Sequence, residues 1–464
     1  MKLARIAETL SPSQIVGEPQ VEIEDLAYDT RTVRPGALFF CVPGTRFDGH
    51  ELAERAIEAG AAALVVEHPV ASRVPQVVVA DARVAMAAAA AAFFGRPTDK
   101  LEVAGVTGTN GKTTTAFLLH SILSAAGRKP GLLGTIESRV GGERRPSIRT
   151  TPEAIDLQRL FREMLDAGDR SCAMEATSHG SELKRLEHIR FAALVFTNLT
   201  QDHLDLHGTM DNYFEAKRRL FLEGRPPAAI NIGDAWGRRL ADDRPDALTY
   251  GFAEDALLRP EVLDDVELKL RGRFNVENAL GAMAGARLLG IDDETIVLGL
   301  EALEGVPGRF ETVDEGQPFT VVVDYAHTPD SLENVLVTAR ELDSARVICV
   351  FGCGGDRDRE KRPIMGRIAG ELADLAIVTS DNPRSEDPRA IIAEIVAGTG
   401  DDLEIVPDRR EAIARAIESA APGDVVVIAG KGHEQGQQFR DRTVPFDDRE
   451  VAREALRRLG AAAP

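Results

Sequence analysis

Three observations predict an α/β fold built on largely parallel sheets. Runs rich in valine and isoleucine alternate with helical stretches along most of the chain, polar loops follow several of those runs directly, and the middle opens on a strand, a glycine-rich turn and a helix. At 464 residues the chain has room for about two to four domains, each able to bury a core. The formal net charge of −20 repels nucleic acid and anionic membranes, so neither is expected as a partner. The longest apolar run, Val84 to Phe94, is mostly alanine and too short for a hydrocarbon layer of about 30 Å. The start "MKLARIAETL" has no apolar core of a secretory signal, and Cys41, Cys172, Cys349 and Cys353 show neither disulfide nor zinc spacing, so a reducing cytoplasm is the expected compartment.

Residues 1–98 read as a smaller α/β domain. "ALFFCVPGTRFDGHELAERAIEAGAAALVVE" gives strand, polar loop, amphipathic helix and strand, and an alanine-rich helix leads to a linker around Pro97. Residues 99–308 read as a second domain, from "LEVAGV" to "GVPGRFE", where Gly305 and Gly308 are candidate hinges. In residues 309–464, strands are expected at "FTVVVD", "ARVICVF", "LAIVTS", "LEIVP" and "DVVVIAG", a Rossmann-like unit. Four of these lead into "DYAHTPD", "GCGGDRDREKR", "DNPRSEDP" and "KGHEQ", and ligands of open α/β sheets bind at that edge. Solvated connecting loops would not need Arg, Asp, His or Glu beside glycine or proline in each case.

The middle domain begins "LEVAGVTGTNGKTTTAFLLHSIL". Strand, glycine turn, Gly-Lys-Thr and helix are the context in which backbone N–H groups cradle phosphate, with Lys112 neutralising charge and the Thr113 hydroxyl reaching Mg²⁺. The strict spacing of that motif is not met, because Val106 stands where its first glycine would be. A nucleoside triphosphate remains the natural ligand.

Two further strands end in "EATSHG" and "TNLTQDHLDLHG". Glu175 suits Mg²⁺ as a hard oxygen ligand. His203 and His207, four apart beside Asp202 and Asp205, would also suit zinc if they shared one helix, or serve as buried structural histidines. In "MDNYFEAKRRLF", Phe214, Lys217 and Phe221 share a helix face, which places the lysine on the buried side. Such lysines usually snorkel outward, yet desolvation and neighbouring cations favour the neutral amine that CO₂ can carbamylate. In "DNPRSEDP", Asp381, Asn382 and Arg384 crowd around Pro383, which fits a small zwitterion as well as an ordinary surface turn.

In order along the chain, "YDTRTVRPGALFF", "GTNGKTT", "EATSHG", "TNLTQDHLDLHG", "YFEAKRRLF", "RFNVENALGAMA", "GVPGRFE", "DYAHTPDSLENVL", "FGCGGDRDREKRPIMG", "DNPRSEDP" and "AGKGHE" resemble the motifs of Mur ligases over nearly the whole length. The resemblance implies an N-terminal domain for a uridine nucleotide, a central ATPase and a C-terminal domain for the amino acid. It implies a cytoplasmic, monomeric enzyme of peptidoglycan precursor synthesis: ATP phosphorylates the D-Glu carboxylate of a UDP-N-acetylmuramoyl dipeptide, and the amine of meso-diaminopimelate attacks the acyl phosphate. Carried over by position, Gly108, Thr109, Asn110, Gly111, Lys112, Thr113, Thr114, Asn278, Arg309 and Asp324 meet ATP. Thr113, Glu175, His203 and Lys217, the last as a CO₂-derived carbamate, hold two Mg²⁺ ions. Lys112, Glu175, His203 and Lys217 form the catalytic set.

By the same resemblance Thr30, Thr45, Arg46, Phe47, Thr150, Thr151, Thr177 and Arg185 hold the UDP dipeptide, while Arg357, Asp381, Asn382, Pro383, Arg384, Gly430 and Glu434 form the diaminopimelate pocket. Thr30 and Thr177 stand where serine is usual, which keeps a hydroxyl; Arg149 stands where asparagine often contacts substrate, and Leu183 where a glutamine can. A GTP-driven switch would carry a guanine-reading Asn-Lys-x-Asp, and "TNLTQD" lacks the lysine. A folate-polyglutamate ligase shares the ATPase core but needs no uridine-type N-terminal domain. A non-catalytic module would not need the intact Lys112, Glu175, His203 and Lys217.

Overall fold

The computed structural model describes residues 1–44, 47–342, 344–399 and 403–462, with side chains described to 460. The chain divides into two compact units: Met1–Thr107, Ala126–Leu194 and Ala216–Ala228 form the first, and Gly108–Ala125, Val195–Glu215 and Ala229–Pro464 the second. Among the described residues no helix is long and apolar enough to cross a membrane.

The first unit begins with a five-stranded sheet in the order Gln14–Val16, Gln76–Val78, Ala61–Val66, Ala37–Phe40 and Asp25–Ala27. Only the Gln14–Val16 edge runs antiparallel. Leu38, Phe40, Ala63 and Val65 point to one apolar layer, and Ala37, Phe39, Leu64 and Val66 to the other, the alternation expected of strands buried on both faces. The alanine-rich helix Ala82–Phe93 is capped by Asp81, whose carboxylate accepts the Arg83 and Val84 N–H groups. Its small side chains let it lie close to the sheet. The expected linker at Pro97 is instead a 3₁₀ turn, Pro97–Asp99, with Pro97 and Thr98 buried and the Thr98 hydroxyl accepting the Arg190 N–H. Proline sets that turn's φ and needs no N–H partner.

The unit continues with Glu102–Thr107, Ser171–Glu175 and Pro130–Leu133, paired in parallel. An antiparallel hairpin, Glu137–Val140 and Glu143–Pro146, extends them. Gly141 (φ 58°) and Gly142 (φ 81°) form its two-residue turn, where both positions demand the left-handed region.

The second unit carries a six-stranded sheet in the order Glu311–Thr312, Thr320–Asp324, Val425–Ala429, Val347–Phe351, Leu375–Val378 and Glu404–Ile405, parallel except at the first pair. Val322, Val427, Cys349, Phe351 and Val378 pack on one face against residues of helices Pro329–Glu341, Lys361–Leu372 and Pro388–Val396. Val321, Val323, Ile348, Val350, Ile377, Val426 and Ile428 pack on the other against Arg409–Ser419 and Asp448–Ala462. The all-valine run of Val425–Val427 is thus explained by cover on both faces. Because four neighbouring strands are parallel, the loops after Asp324, Phe351, Val378 and Ala429 emerge at one sheet edge, as the sequence predicts.

Candidate active site

The glycine-rich turn 108–111 joins strand Glu102–Thr107 to helix Lys112–Ala125. Gly108 (φ 155°) and Gly111 (φ 83°) leave no room for a side chain: a Cβ on the first would collide with the Thr197 hydroxyl and on the second with the Asn278 amide oxygen. Lys112 Nζ donates to the carbonyls of Gly108 at 3.0 Å and Thr109 at 2.7 Å, folding over its own loop. Asn110 is pinned by the Asn198 amide oxygen at 2.9 Å and donates to Asp330 at 2.6 Å. Thr109 and Thr114 are buried, and the Thr109 hydroxyl lies 3.1 Å from that of Tyr213. Arg309 donates to the Thr113 hydroxyl at 3.0 Å and lies 4.4 Å from the Tyr325 ring centroid. Asn278 donates to Asn275 at 3.0 Å. Asn275 and Arg309 line a cavity of about 370 Å³ with the segment from Glu304 to Thr312. The phosphate-loop residues, Asn278 and Arg309 are therefore brought together.

Asp324, 6% exposed, ends its strand there and accepts the N–H groups of Phe310 at 2.6 Å and Ala326 at 2.7 Å. Burial pushes its carboxyl up to about 6, although Arg309 and the two N–H donors oppose this. His203 sits in the left-handed region (φ 55°) ahead of the short helix Leu204–His207, so the two histidines do not share a helix face and the zinc arrangement does not form. The buried Asp202 carboxylate lies 3.4 Å from His203, 3.9 Å from His327 and 4.0 Å from Lys361.

In the first unit, Glu175 is 1% exposed and held in place by Thr135, whose N–H meets Oε1 at 2.7 Å and whose hydroxyl meets Oε2 at 3.0 Å. Gly134 permits this approach, because a Cβ there would stand 2.6 Å from Oε1. The Thr135 hydroxyl also lies 3.0 Å from that of Thr150. Thr151 donates to the Glu175 carbonyl at 2.9 Å and accepts from the Thr177 N–H and hydroxyl; Arg185 donates to the Thr151 carbonyl at 3.1 Å. Thr150, Thr151, Thr177, Arg185 and Glu175 thus form one network. Lys217 is 1% exposed on helix Met210–Leu222, with Phe214 and Phe221 fully buried, as the helix periodicity predicts. Thr30 lies in a half-buried turn and Phe47 is 70% exposed; Thr45 and Arg46 lie outside the described residues.

At the sheet edge of the second unit, Asp381 and Asn382 are buried. Asn382 donates to Glu434 at 2.7 Å, and the fully buried Lys431 donates to Asn382 at 3.0 Å and Glu434 at 2.9 Å, with Asp381 at 3.8 Å. Gln437 donates to the Asp381 carbonyl at 2.7 Å. Neither Lys431 nor Gln437 is a site candidate from sequence alone: "KGHEQ" marks the loop that holds Lys431, Gln437 lies two residues beyond it, and only the contacts show that they brace Asp381, Asn382 and Glu434. Gly430 (φ 118°) is close enough that a Cβ would stand 2.8 Å from Asp381 Oδ2. Arg384 departs from the extended loop that Pro383 suggests: its φ is 51°, a costly conformation for a non-glycine residue that aims the side chain back at Gly355, whose carbonyl it meets at 2.7 Å. Burial and the neighbouring Arg357 both lower its pKa, and among the described residues it has no carboxylate partner within salt-bridge distance. Arg357 itself donates to the Asp356 carbonyl.

Models of the Mur ligase family match three stretches: the family's catalytic domain at 22–94, the middle domain at 106–286 and the glutamate ligase domain at 308–432. The chain is 47% identical to UDP-N-acetylmuramoyl-L-alanyl-D-glutamate–2,6-diaminopimelate ligase of Solibacter usitatus over 95% of either chain. It is 45% identical to the enzyme of that name from Geobacter metallireducens over 99% of both. A solved structure of a ligase of the same name superposes with a TM-score of 0.68 at 32% identity, covering 99% of both chains. Mycobacterium tuberculosis folylpolyglutamate synthase complexed with ADP and AMPPCP gives a TM-score of 0.62 at 19% identity, covering 82% of this chain and 96% of that one, a likeness of fold alone.

Proposed function

The chain belongs to the Mur ligase family, and on that premise we propose that it joins meso-diaminopimelate to the D-Glu carboxylate of UDP-N-acetylmuramoyl-L-alanyl-D-glutamate in peptidoglycan precursor synthesis. It is an ATP-dependent amide-forming ligase. The observation that carries the choice of amino acid is the half-buried guanidinium of Arg384, held by the Gly355 carbonyl and with no carboxylate within salt-bridge distance among the described residues, beside the Lys431-braced acids Asp381 and Glu434. Cation and carboxylates at one sheet edge suit a ligand end that carries both charges.

Lys112 and Arg309 offset the charge that accumulates as the carboxylate attacks the γ-phosphorus, and the N–H groups of 108–114 position the phosphates. Thr113, Glu175, His203 and Lys217 as a carbamate are the proposed Mg²⁺ donors, a set of hard oxygens and one imidazole that fits an ion taking further ligands from phosphate and water. Mg²⁺, when bound, supplies charge neutralisation on the phosphoryl oxygens. Glu175 is prepared for that role, since Thr135 fixes both of its oxygens and the missing side chain of Gly134 leaves room for Oε1. Thr150, Thr151, Thr177 and Arg185 receive the dipeptide, with Thr30 and the segment 45–47 on the nucleotide. The division at residues 98 and 308, a monomeric state and a cytoplasmic location belong to the same proposal.

Phosphate release should require ATP, the UDP dipeptide and diaminopimelate together. With ¹⁸O in the D-Glu carboxylate, one label should appear in the released phosphate, as an acyl-phosphate route demands; unlabelled phosphate during turnover would exclude it. A second expectation concerns pH. Ionised Asp324 is proposed to take polar groups of ATP, so ATP affinity should weaken as pH falls through about 6, and Asp324→Asn should flatten that profile. Folding stability runs the other way for this group: the native state holds its proton more tightly than the unfolded chain, so rising pH removes stability from about 4 to 6. An ATP dissociation constant unchanged between pH 5 and 7.5, measured by calorimetry, would remove Asp324 from the ATP contacts.

A further inference from the structure

Three guanidinium groups converge on one buried carboxylate in the first unit. Glu153, whose side chain is 6% exposed, lies 2.6 Å from Arg149, 2.8 Å from Arg185 and 3.4 Å from Arg83. One carboxylate offsets one of the three cations. The adjacent acid does not supply the rest: Tyr28 donates to Asp156 at 2.7 Å, burial raises that carboxyl towards its neutral form, and Arg159 is occupied with Asp25 at 2.9 Å. Arg185 Nε is also buried without a hydrogen-bond partner. In a chain of net charge −20, this is a local excess of positive charge, and its most buried member, Arg185, is costly to leave incompletely paired unless an anion completes the cluster.

We propose that Arg149 and Arg83 join Arg185 as the receptor for the D-Glu carboxylate of the nucleotide dipeptide that is not activated. This rests on the substrate reading above and adds two residues to it. Arg185 reaches the Thr151 carbonyl, and the Thr151 hydroxyl reaches the Glu175 carbonyl, so the arginines sit one residue removed from a proposed metal donor. The carboxylate that becomes the acyl phosphate must lie by those donors. A D-Glu residue carries its second carboxylate only a few bonds away, and that group stays ionised throughout the reaction. It needs cations wherever water is excluded. Guanidinium is the suited group, because its planar fork matches carboxylate geometry through two parallel hydrogen bonds. Arg149 is 49% exposed and Arg83 is 23% exposed, so both can turn from Glu153 to a ligand, while the more buried Arg185 keeps Glu153 paired.

The test is steady-state kinetics of the full chain with the natural UDP dipeptide and with its D-isoglutamine counterpart, in which that carboxylate is a carboxamide. Loss of one charged hydrogen-bond partner is worth about tenfold, so Arg149→Ala should raise KM for the acid substrate by that factor and Arg83→Ala by less. The kcat and the KM values for ATP and diaminopimelate should hold, and Arg149→Lys should recover part of the loss. Neither alanine variant should weaken the carboxamide substrate further, because the partner is already absent. Equal KM increases for both substrates would overturn the assignment and leave the arginines to the diphosphate or to bracing Glu153; an unchanged KM for the acid substrate would also overturn it. Both outcomes presuppose an active wild type. A wild type that fails to use the UDP dipeptide at all would instead overturn the substrate reading.

Discussion

Replacing Lys217 with alanine should abolish ligation, with kcat lower by about 10² to 10³ or more, the size seen when one preorganised charge-stabilising group is removed. The residue is 1% exposed and shares a helix face with Phe214 and Phe221, so its head group is withdrawn from bulk water. Desolvation favours the neutral amine, and the neutral amine is the form that adds CO₂. The resulting carbamate turns a cation into a carboxylate, the ligand that Mg²⁺ prefers. Short carboxylic acids added to Lys217→Ala should restore part of the activity by supplying that group from solution. Lys217→Glu, whose carboxylate is shorter by several atoms, should do less well than added acid. Labelling with ¹³C-bicarbonate should give a carbamate resonance in the wild type and none in the variant. A fully active preparation whose Lys217 stays unlabelled would end this reading.

The parts of the fold that the sequence shows are those set by local chemistry. The strand after strand of valine in the last third could be read because each is buried on both faces, and a period-two pattern collapses into a continuous apolar run. The phosphate loop was legible in spite of Val106, since Gly108 and Gly111 are required by φ and by the absence of space for a Cβ. The burial of Lys217 followed from helix periodicity alone. What the sequence left dark depends on contacts between distant segments. Nothing near Glu175 announces that Thr135, forty residues earlier, grips both of its oxygens. Glu153 looks like an unremarkable helix-start acid until Arg83, seventy residues earlier, and Arg185, from beyond the next strand, are seen to meet it. Lys431 likewise counts only once it is found 2.9 Å from Glu434 and 3.0 Å from Asn382. The turn at Arg384 misled for a different reason: proline restricts itself and the residue before it, and says nothing of the φ of the residue after it.

Arg384→Ala should cost most of the discrimination for diaminopimelate while sparing ATP binding. Meso-diaminopimelate ends in a carboxylate and an ammonium where L-lysine ends in an ammonium alone. In the wild type, Arg384 spends one N–H group on the Gly355 carbonyl and, among the described residues, has no carboxylate within salt-bridge distance, so on the proposed reading its charge pairs with the ligand. Asp381 and Glu434, braced by Lys431, are the groups proposed to meet the ammonium. With L-lysine the half-buried guanidinium would be left facing a second cation with no carboxylate to meet it, a penalty on the order of 2 to 5 kcal/mol once the ligand excludes water, which is between about thirtyfold and a few thousandfold in kcat/KM. The alanine variant removes the favourable pair and the penalty together, so turnover of diaminopimelate should fall by a similar factor while the small activity with lysine stays level or rises. Arg384→Lys should not rescue it, since a single ammonium cannot reproduce the two-pronged grip and would have to adopt the same left-handed backbone. The ATP dissociation constant should stay within about twofold, because Arg384 lies outside the proposed ATP contacts, and a charge change felt only through solvent is worth a few tenths of a kcal/mol. The measurement is kcat/KM for both amino acids in wild type and variant. A wild type that used lysine as readily as diaminopimelate, or a variant whose preference matched the wild type, would place the carboxylate elsewhere; Arg357, which also lies at this edge and repels Arg384, would then be the residue to replace next.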